Sequence, residues 1–328
     1  LVSYDDILEA RDAQHPDIVR TPLLHWRYGS AAAGGEVRLK LETLQRSGSF
    51  KPRGAWNRLR MLRPPERKRG VICASAGNHA QGVALACDLL DIQAVIVMPE
   101  TAPEIKIAQT QLYGTPEIVL HGADLHEATQ RAVELQRERD LIFVHPFDDR
   151  HVIAGQGTVG LELLEQWPDI DTVVVPVGGG GLAAGIAVAM RTHHPDVRVV
   201  GIQAAGADAA AQALECGERV TLERCRTFAD GIAVSQIGEL PFALLKKHEV
   251  PILRVSDAEI GTAVLALCQT AKLVVEPAGA TAAAAAIFHA DRLGGAERIA
   301  VVLSGANVTT DCLVETLLAH RQELPRHD

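Results

Sequence analysis

At 328 residues the chain exceeds the usual reach of one hydrophobic core, which favours two domains sharing a cleft. Apolar residues make up 47% and aromatics only 4%, the profile of an α/β enzyme with close helix-on-sheet packing and not of a disordered chain. A formal net charge of -9 without a basic block disfavours nucleic acid or an anionic membrane surface as partner, so a small-molecule ligand fits better.

The opening Leu1-Val2-Ser3-Tyr4-Asp5-Asp6 has neither a basic nor an apolar leader, and no apolar run reaches membrane-spanning length, so a cytoplasmic location is expected. Cys73, Cys87, Cys216, Cys225, Cys268 and Cys312 are scattered with no Cys-x-x-Cys pair, which indicates neither a zinc site nor a disulfide framework; reduced, mostly buried cysteines are expected. Residues 4–20 have helical spacing, Thr21-Pro22 stops them, and Leu23-Leu24 reads as an extended packing arm. Residues 37–42 alternate apolar and polar and read as a strand leading to Ser47-Gly48-Ser49-Phe50-Lys51-Pro52-Arg53-Gly54.

That small-residue turn places a lysine directly behind an aromatic ring. Glycines and serines let backbone and substrate approach closely, and the apolar face of Phe50 lowers the cost of deprotonating Lys51, so Lys51 reads as a catalytic amine able to form a Schiff base. A short helix over 55–62 is expected to end at Pro64-Pro65.

From residue 70 to about 149 the pattern runs strand then helix three times, 71–74 into 80–90, 94–98 into 105–113 and 118–120 into 125–137, with 141–144 closing. That is a parallel sheet in a compact unit. After His145-Pro146-Phe147-Asp148-Asp149 the alternation resumes with a helix over 158–166, a strand over 172–176, a glycine run, a helix over 182–191 and a strand over 197–203. A strand over 252–255, helices over 259–273 and 278–288, a strand over 299–303 and a helix over 311–320 complete a second parallel sheet, while 205–237 is too irregular to assign.

Gly178-Gly179-Gly180-Gly181 follows an apolar strand and opens a helix, so its amides and the helix N-terminus form an anion site suited to a phosphate. Gly178-x-Gly180-x-x-Ala183 also satisfies a loose dinucleotide fingerprint, but the next strand ends at Gln203 where a ribose-binding carboxylate belongs, which weakens a nicotinamide oxidoreductase as an alternative. Ala74-Ser75-Ala76-Gly77-Asn78-His79-Ala80-Gln81-Gly82 is the other strand-to-helix turn, with donors placed to hold a carboxylate. His193-His194 reads as a solvated loop pair, and no metal is assigned to it.

Taken together, Ser49-Phe50-Lys51-x-Arg53-Gly54, residues 74–82, Val97-Met98-Pro99, Gly155-Gln156-Gly157-Thr158, Pro176-Val177-Gly178-Gly179-Gly180-Gly181-Leu182, Ala229-Asp230-Gly231, Glu276-Pro277-Ala278-Gly279-Ala280 and Leu303-Ser304-Gly305-Ala306-Asn307-Val308 resemble, in order, the fold-type II (β-family) pyridoxal-phosphate enzymes, specifically the threonine and serine dehydratases or ammonia-lyases. The resemblance implies an α/β fold of two parallel-sheet, three-layer domains of the tryptophan synthase β-like type with pyridoxal 5'-phosphate between them. Residues 1–45 and 148–328 would form the large cofactor-binding domain and 46–147 a small domain inserted in it. It further implies that Lys51 anchors the cofactor, that Phe50 packs on its ring, that Asn78 bonds the ring hydroxyl, and that Gly178, Gly179, Gly180, Gly181 and Leu182 hold the phosphate. Gly231, Glu276 and Ser304 would complete the cofactor site, with Ser304 facing the ring nitrogen, and Ser49, Ser75, Ala76, Gly77, Asn78 and His79 would surround the substrate carboxylate.

The implied reaction is α,β-elimination of a 3-hydroxy amino acid such as L-threonine or L-serine to a 2-oxo acid and ammonia, in a homo-oligomer, expected to be a dimer. Another 3-hydroxy amino acid, such as 3-hydroxyaspartate, phenylserine or a hydroxyectoine-derived compound, is the alternative substrate. Where racemising relatives carry a serine this chain has Ala76, and where cation-responsive relatives carry an acidic pair it has Gln203 and Ala209, so neither racemisation nor a metal is expected. With no regulatory domain after the catalytic ones, control by isoleucine is not expected either.

Overall fold

The computed structural model describes residues 1–321 and 324. Among these, ten strands form two sheets: β1 (Leu23–His25), β2 (Glu36–Leu41), β3 (Val71–Ala74), β4 (Ala94–Met98), β5 (Glu117–Leu120), β6 (Ile142–Phe143), β7 (Thr172–Pro176), β8 (Arg198–Ala204), β9 (Ile252–Val255) and β10 (Arg298–Leu303). β3 to β6 make a four-stranded parallel sheet in the order β5-β4-β3-β6. The others make a six-stranded sheet in the order β1-β2-β10-β7-β8-β9, parallel except for β1 at its edge.

Helices cover both faces of each sheet, which is why the central strands are near-continuous apolar runs: β4 and β7 are buried along their whole length. Alternation still decides the face. Val173, Val175, Ala300 and Val302 point into one core with the helices Arg150–Gln166 and Gly181–Arg191, while Val174, Ile299, Val301 and Leu303 point into the other with Asp257–Ala266 and Pro277–Phe288. The last of these helices is alanine-rich and buried from Pro277 to Ile287, so it lies close against β7, β8 and β10.

The helix Lys51–Arg60 sits where the two halves meet, between Asn78–Leu90, which follows β3, and Arg150–Gln166. Backbones nearly touch there. A Cβ added to Gly155 would stand 2.4 Å from the Arg53 carbonyl oxygen, and one added to Gly82 3.0 Å from Lys51 Cβ. Behind the helix, Arg53 is fully covered and donates to Glu42 (2.8 and 2.9 Å) and to Glu162 (2.6 and 3.0 Å). Lys40 donates to the same Glu162 at 2.5 Å and to the Thr21 carbonyl at 2.7 Å, so two cations and two anions compensate one another out of water.

Several local expectations are corrected. The first helix ends at Asp12, because Pro16 biases His15 away from helical backbone. The extended packing arm read at Leu23-Leu24 is the edge strand Leu23–His25, paired antiparallel with β2. The lysine turn is itself the first turn of Lys51–Arg60, and a further helix, Pro64–Arg69, follows it. The helix expected at 158–166 begins at Arg150, and the stretch 205–237 contains the helix Ala209–Cys216 and a 3-10 turn, Asp230–Ile232. Only Cys73 and Cys87 are buried; Cys216 is exposed and the other three are half-buried. Among the described residues no helix is long and apolar enough to cross a membrane.

Candidate active site

A cavity of about 410 Å³ opens between the sheets, walled by residues at the C-terminal ends of β3, β7 and β10. Lys51 reaches it from the first position of its helix. Its Nζ donates to the Pro146 carbonyl at 3.0 Å and lies 5.1 Å from the centroid of the Phe50 ring. Burial lowers its pKa to about 8 against a weaker opposing pull from the Glu276 charge, so a useful fraction of neutral amine exists near neutral pH.

Across the cavity, Gly178, Gly179, Gly180 and Gly181 connect β7 to the N-terminus of Gly181–Arg191. Gly180 has φ +91°, which favours glycine. A Cβ on Gly179 would meet the Phe147 ring at 2.3 Å, and one on Gly180 would meet Pro241 at 2.8 Å. The run is thus a bare-backbone cradle at the positive end of a helix, suited to a phosphate.

Asn78 opens the helix Asn78–Leu90 and is held from both sides. Its Nδ2 donates to Glu276 Oε1 at 2.7 Å, and its Oδ1 accepts from Asn307 Nδ2 at 2.6 Å. Asn307 also donates to the Ser47 carbonyl at 2.7 Å, so one amide ties the lysine turn, the Asn78 helix and the end of β10 together. Burial, then the Asp230 charge, raises the Glu276 carboxyl to about 8, which keeps it mostly protonated at neutral pH. His79 Nε2 lies 2.9 Å from the Val144 carbonyl, a contact that needs the proton on Nε2. Burial, with the Lys51 charge behind it, lowers its pKa to about 3 and leaves the ring neutral. Ser75 Oγ accepts from Gly77 N at 3.1 Å, and Ser304 stands on the wall with its carbonyl accepting from Phe50 N at 3.1 Å.

Of the residues singled out from sequence, Phe50, Lys51, Ser75, Ala76, Gly77, Asn78, His79, the four glycines, Leu182, Gly231, Glu276 and Ser304 all line this one cavity. Ser49 does not reach the wall: it is fully buried, bridges Gly305 through its backbone, and has no hydrogen-bond partner for its Oγ. Sequence reasoning missed Phe147, Gln156, Lys106 and Asn307 as lining residues, and gave Asp230 no role of its own. Asn307 and Asp230 sat inside quoted motifs; nothing local marked Lys106.

A lysine of lowered pKa facing a phosphate cradle, in a cleft between two parallel sheets, is the site of an α/β enzyme that binds a phosphorylated, amine-reactive ligand. The chain belongs to the pyridoxal-phosphate dependent enzyme family, whose model matches residues 15–305. Its cofactor is accordingly pyridoxal phosphate. It is 44% identical over 313 residues to the L-threonine ammonia-lyase of Thermotoga maritima, covering 95% of this chain and 77% of that one. It is 42% identical over 308 residues to the catabolic L-threonine dehydratase of Escherichia coli K12, covering 94% and 93%. Among solved structures, maize serine racemase superposes with a TM-score of 0.91 at 34% identity over 98% of both chains. The processed threonine deaminase isoform 2 of Solanum lycopersicum does so with 0.91 at 37% identity over 95% and 92%. The architecture is that of the fold-type II pyridoxal-phosphate enzymes.

Proposed function

We propose that this chain is an ammonia-lyase that eliminates water from L-threonine or L-serine and releases a product whose imine form takes up one water, giving a 2-oxo acid and ammonia. The observation that carries this reading is the convergence of the Lys51 amine, the glycine cradle and the Ser75-to-His79 turn on one cavity. These residues fit the cofactor: Lys51 would anchor its aldehyde, residues 178–182 its phosphate, and Asn78 its ring hydroxyl, with Ser304 beside the ring nitrogen. Bound there, it supplies an electron sink that acidifies the hydrogen on the substrate's α-carbon.

The side chains do the rest. Ser75 Oγ and the first amides of Asn78–Leu90 hold the substrate carboxylate at the positive end of a helix. Lys51, with a pKa near 8, takes the α-proton, and the Pro146 carbonyl keeps the amine on the cavity side of its helix. His79, neutral and pinned by Val144, orients and does not donate protons at neutral pH. A hydroxyl at Ser304, where an aspartate would hold the ring nitrogen protonated, suits elimination over transamination. Ala76 presents a methyl group, which has no proton to return, so serine racemisation is not part of this reading.

The test is a panel of 3-hydroxy amino acids assayed for 2-oxo acid formation. L-Threonine or L-serine should be turned over, and Lys51→Ala should abolish turnover while leaving the far-ultraviolet circular dichroism unchanged. Wild-type turnover in that variant would sink the assignment.

A further inference from the structure

Five titratable side chains line the cavity: Lys51, His79, Lys106, Asp230 and Glu276. The reaction proposed above leaves Lys106 and Asp230 without a task. Their side chains pair across the cleft, Lys106 Nζ donating to Asp230 Oδ2 at 2.8 Å. Lys106 belongs to the helix Glu104–Gln111 after β4 of the four-stranded sheet, whereas Asp230 opens the 3-10 turn packed on Pro277–Phe288 of the six-stranded one.

The two groups are unequally placed. The Asp230 side chain is 65% exposed and that of Lys106 only 19%, so the carboxylate faces entering solutes and shields the ammonium from them. An exposed ion pair adds little to stability, so a purely structural tie is a weak reason for it. Its field does reach inward: the Asp230 charge helps to raise the Glu276 carboxyl and the Lys106 charge opposes that. Apart from Lys51, Lys106 is the one lysine or arginine on the cavity wall among the described residues. The substrate's α-carboxylate has its own seat at Ser75 to His79. A second carboxylate, on the substrate's side chain, has no free cation to meet, since Lys106 is engaged by Asp230 and Pro99, Leu125, Ile232, Ala233 and Val234 bring apolar side chains to the wall.

We propose that Asp230 and Lys106 form a charge filter at the mouth of the cavity that confines it to 3-hydroxy amino acids with uncharged side chains. Asp230 repels a side-chain carboxylate and occupies the lysine that could otherwise bind one, a device that works by penalising the wrong ligand. The inference rests on the amino-acid lyase reading and narrows its substrate class.

Its test separates the two. L-Aspartate and L-alanine have no hydroxyl to lose, so their binding to the holoenzyme, followed by the cofactor's absorbance, reads the filter independently of elimination. Asp230→Asn keeps an acceptor for Lys106 and removes the charge. It should tighten L-aspartate relative to L-alanine by about tenfold, the scale of one like charge removed from a partly solvated site. The gain should shrink in about 0.5 M salt and in the double variant Asp230→Asn with Lys106→Gln, which keeps only the loss of repulsion. With hydroxylated substrates, kcat/KM for 3-hydroxyaspartate over threonine should rise in parallel. A Kd ratio unchanged within about twofold in Asp230→Asn, or a gain that does not respond to salt, would overturn the filter. Absence of turnover with every 3-hydroxy amino acid would instead overturn the lyase reading and leave the Kd ratio to judge the filter.

Discussion

Replacing Glu276 by glutamine tests the electrostatics of the cavity through stability. The carboxyl is 4% exposed, accepts from Asn78 at 2.7 Å, and is raised from 4.5 to about 8 by burial first and by the Asp230 charge second. In the unfolded chain it titrates near its ordinary value. Between the two values the folded protein therefore keeps a proton that the unfolded chain has released, and stability falls by about 1.4 kcal/mol per pH unit. The sign follows from a raised folded pKa: the contribution is complete below pH 4.5 and is lost as pH rises through about 8. Between about pH 6 and 8.5 the loss sums to roughly 2–3 kcal/mol and levels off as the folded carboxyl ionises. The amide that Glu276→Gln introduces cannot titrate but still offers Asn78 an acceptor. Urea unfolding of the cofactor-free wild type and Glu276→Gln at those two pH values should give free-energy differences that shift by about 2–3 kcal/mol in favour of the variant at the higher pH. Parallel pH profiles for the two proteins would refute the reasoning.

Gly179→Ala sets a methyl 2.3 Å from the Phe147 ring, on the loop whose Pro146 carbonyl holds Lys51. Affinity for pyridoxal phosphate, measured by fluorescence titration, should fall by about tenfold or more, and an unchanged Kd would show that the cradle lies elsewhere. Arg53→Met leaves Glu42 and Glu162 buried with Lys40 as their remaining neighbouring cation, so urea unfolding should show a loss of about 3–5 kcal/mol; a loss below about 1 kcal/mol would mean that water reaches the cluster. His79, held down to about 3, should remain neutral by nitrogen NMR at pH 6, and a ring titrating near 6.5 would contradict its burial.

The strands and the positions of the cavity-lining turns are legible in the sequence because both are local. β4 and β7 are short apolar runs bounded by turn residues, and the lysine turn and glycine run carry their meaning in adjacent residues. What escapes is decided by packing. Gly155, Gly157 and Gly160 lower helix propensity in the Arg150–Gln166 segment, yet each lies where a neighbouring chain comes too close for a side chain; Gly157, for one, would place a Cβ 2.9 Å from the Gly185 carbonyl oxygen. Lys106 and Asp230 are 124 residues apart, and Asn78 and Glu276 are 198 apart, so no window of sequence contains either pair. Ser49 is a different case. The resemblance places it at the substrate carboxylate, whereas here its backbone bridges Gly305 and its side chain is buried.

The alanine-rich helix Pro277–Phe288 has a consequence for how this protein can change, in evolution or in the laboratory. With every position from Pro277 to Ile287 buried against β7, β8, β10 and the helix Asp257–Ala266, it has no spare volume to absorb a larger side chain. Growth there presses on strands whose ends carry the glycine run and Ser304, so sequence drift in this helix is coupled to the catalytic cleft even though most of its residues never touch a ligand. Routes to a hardier enzyme therefore run through the periphery. Asp91, Asp140, Glu249 and Lys272 hold left-handed backbone at φ 51°, 54°, 51° and 61°, and glycine at any of them relieves that strain without disturbing the alanine layer.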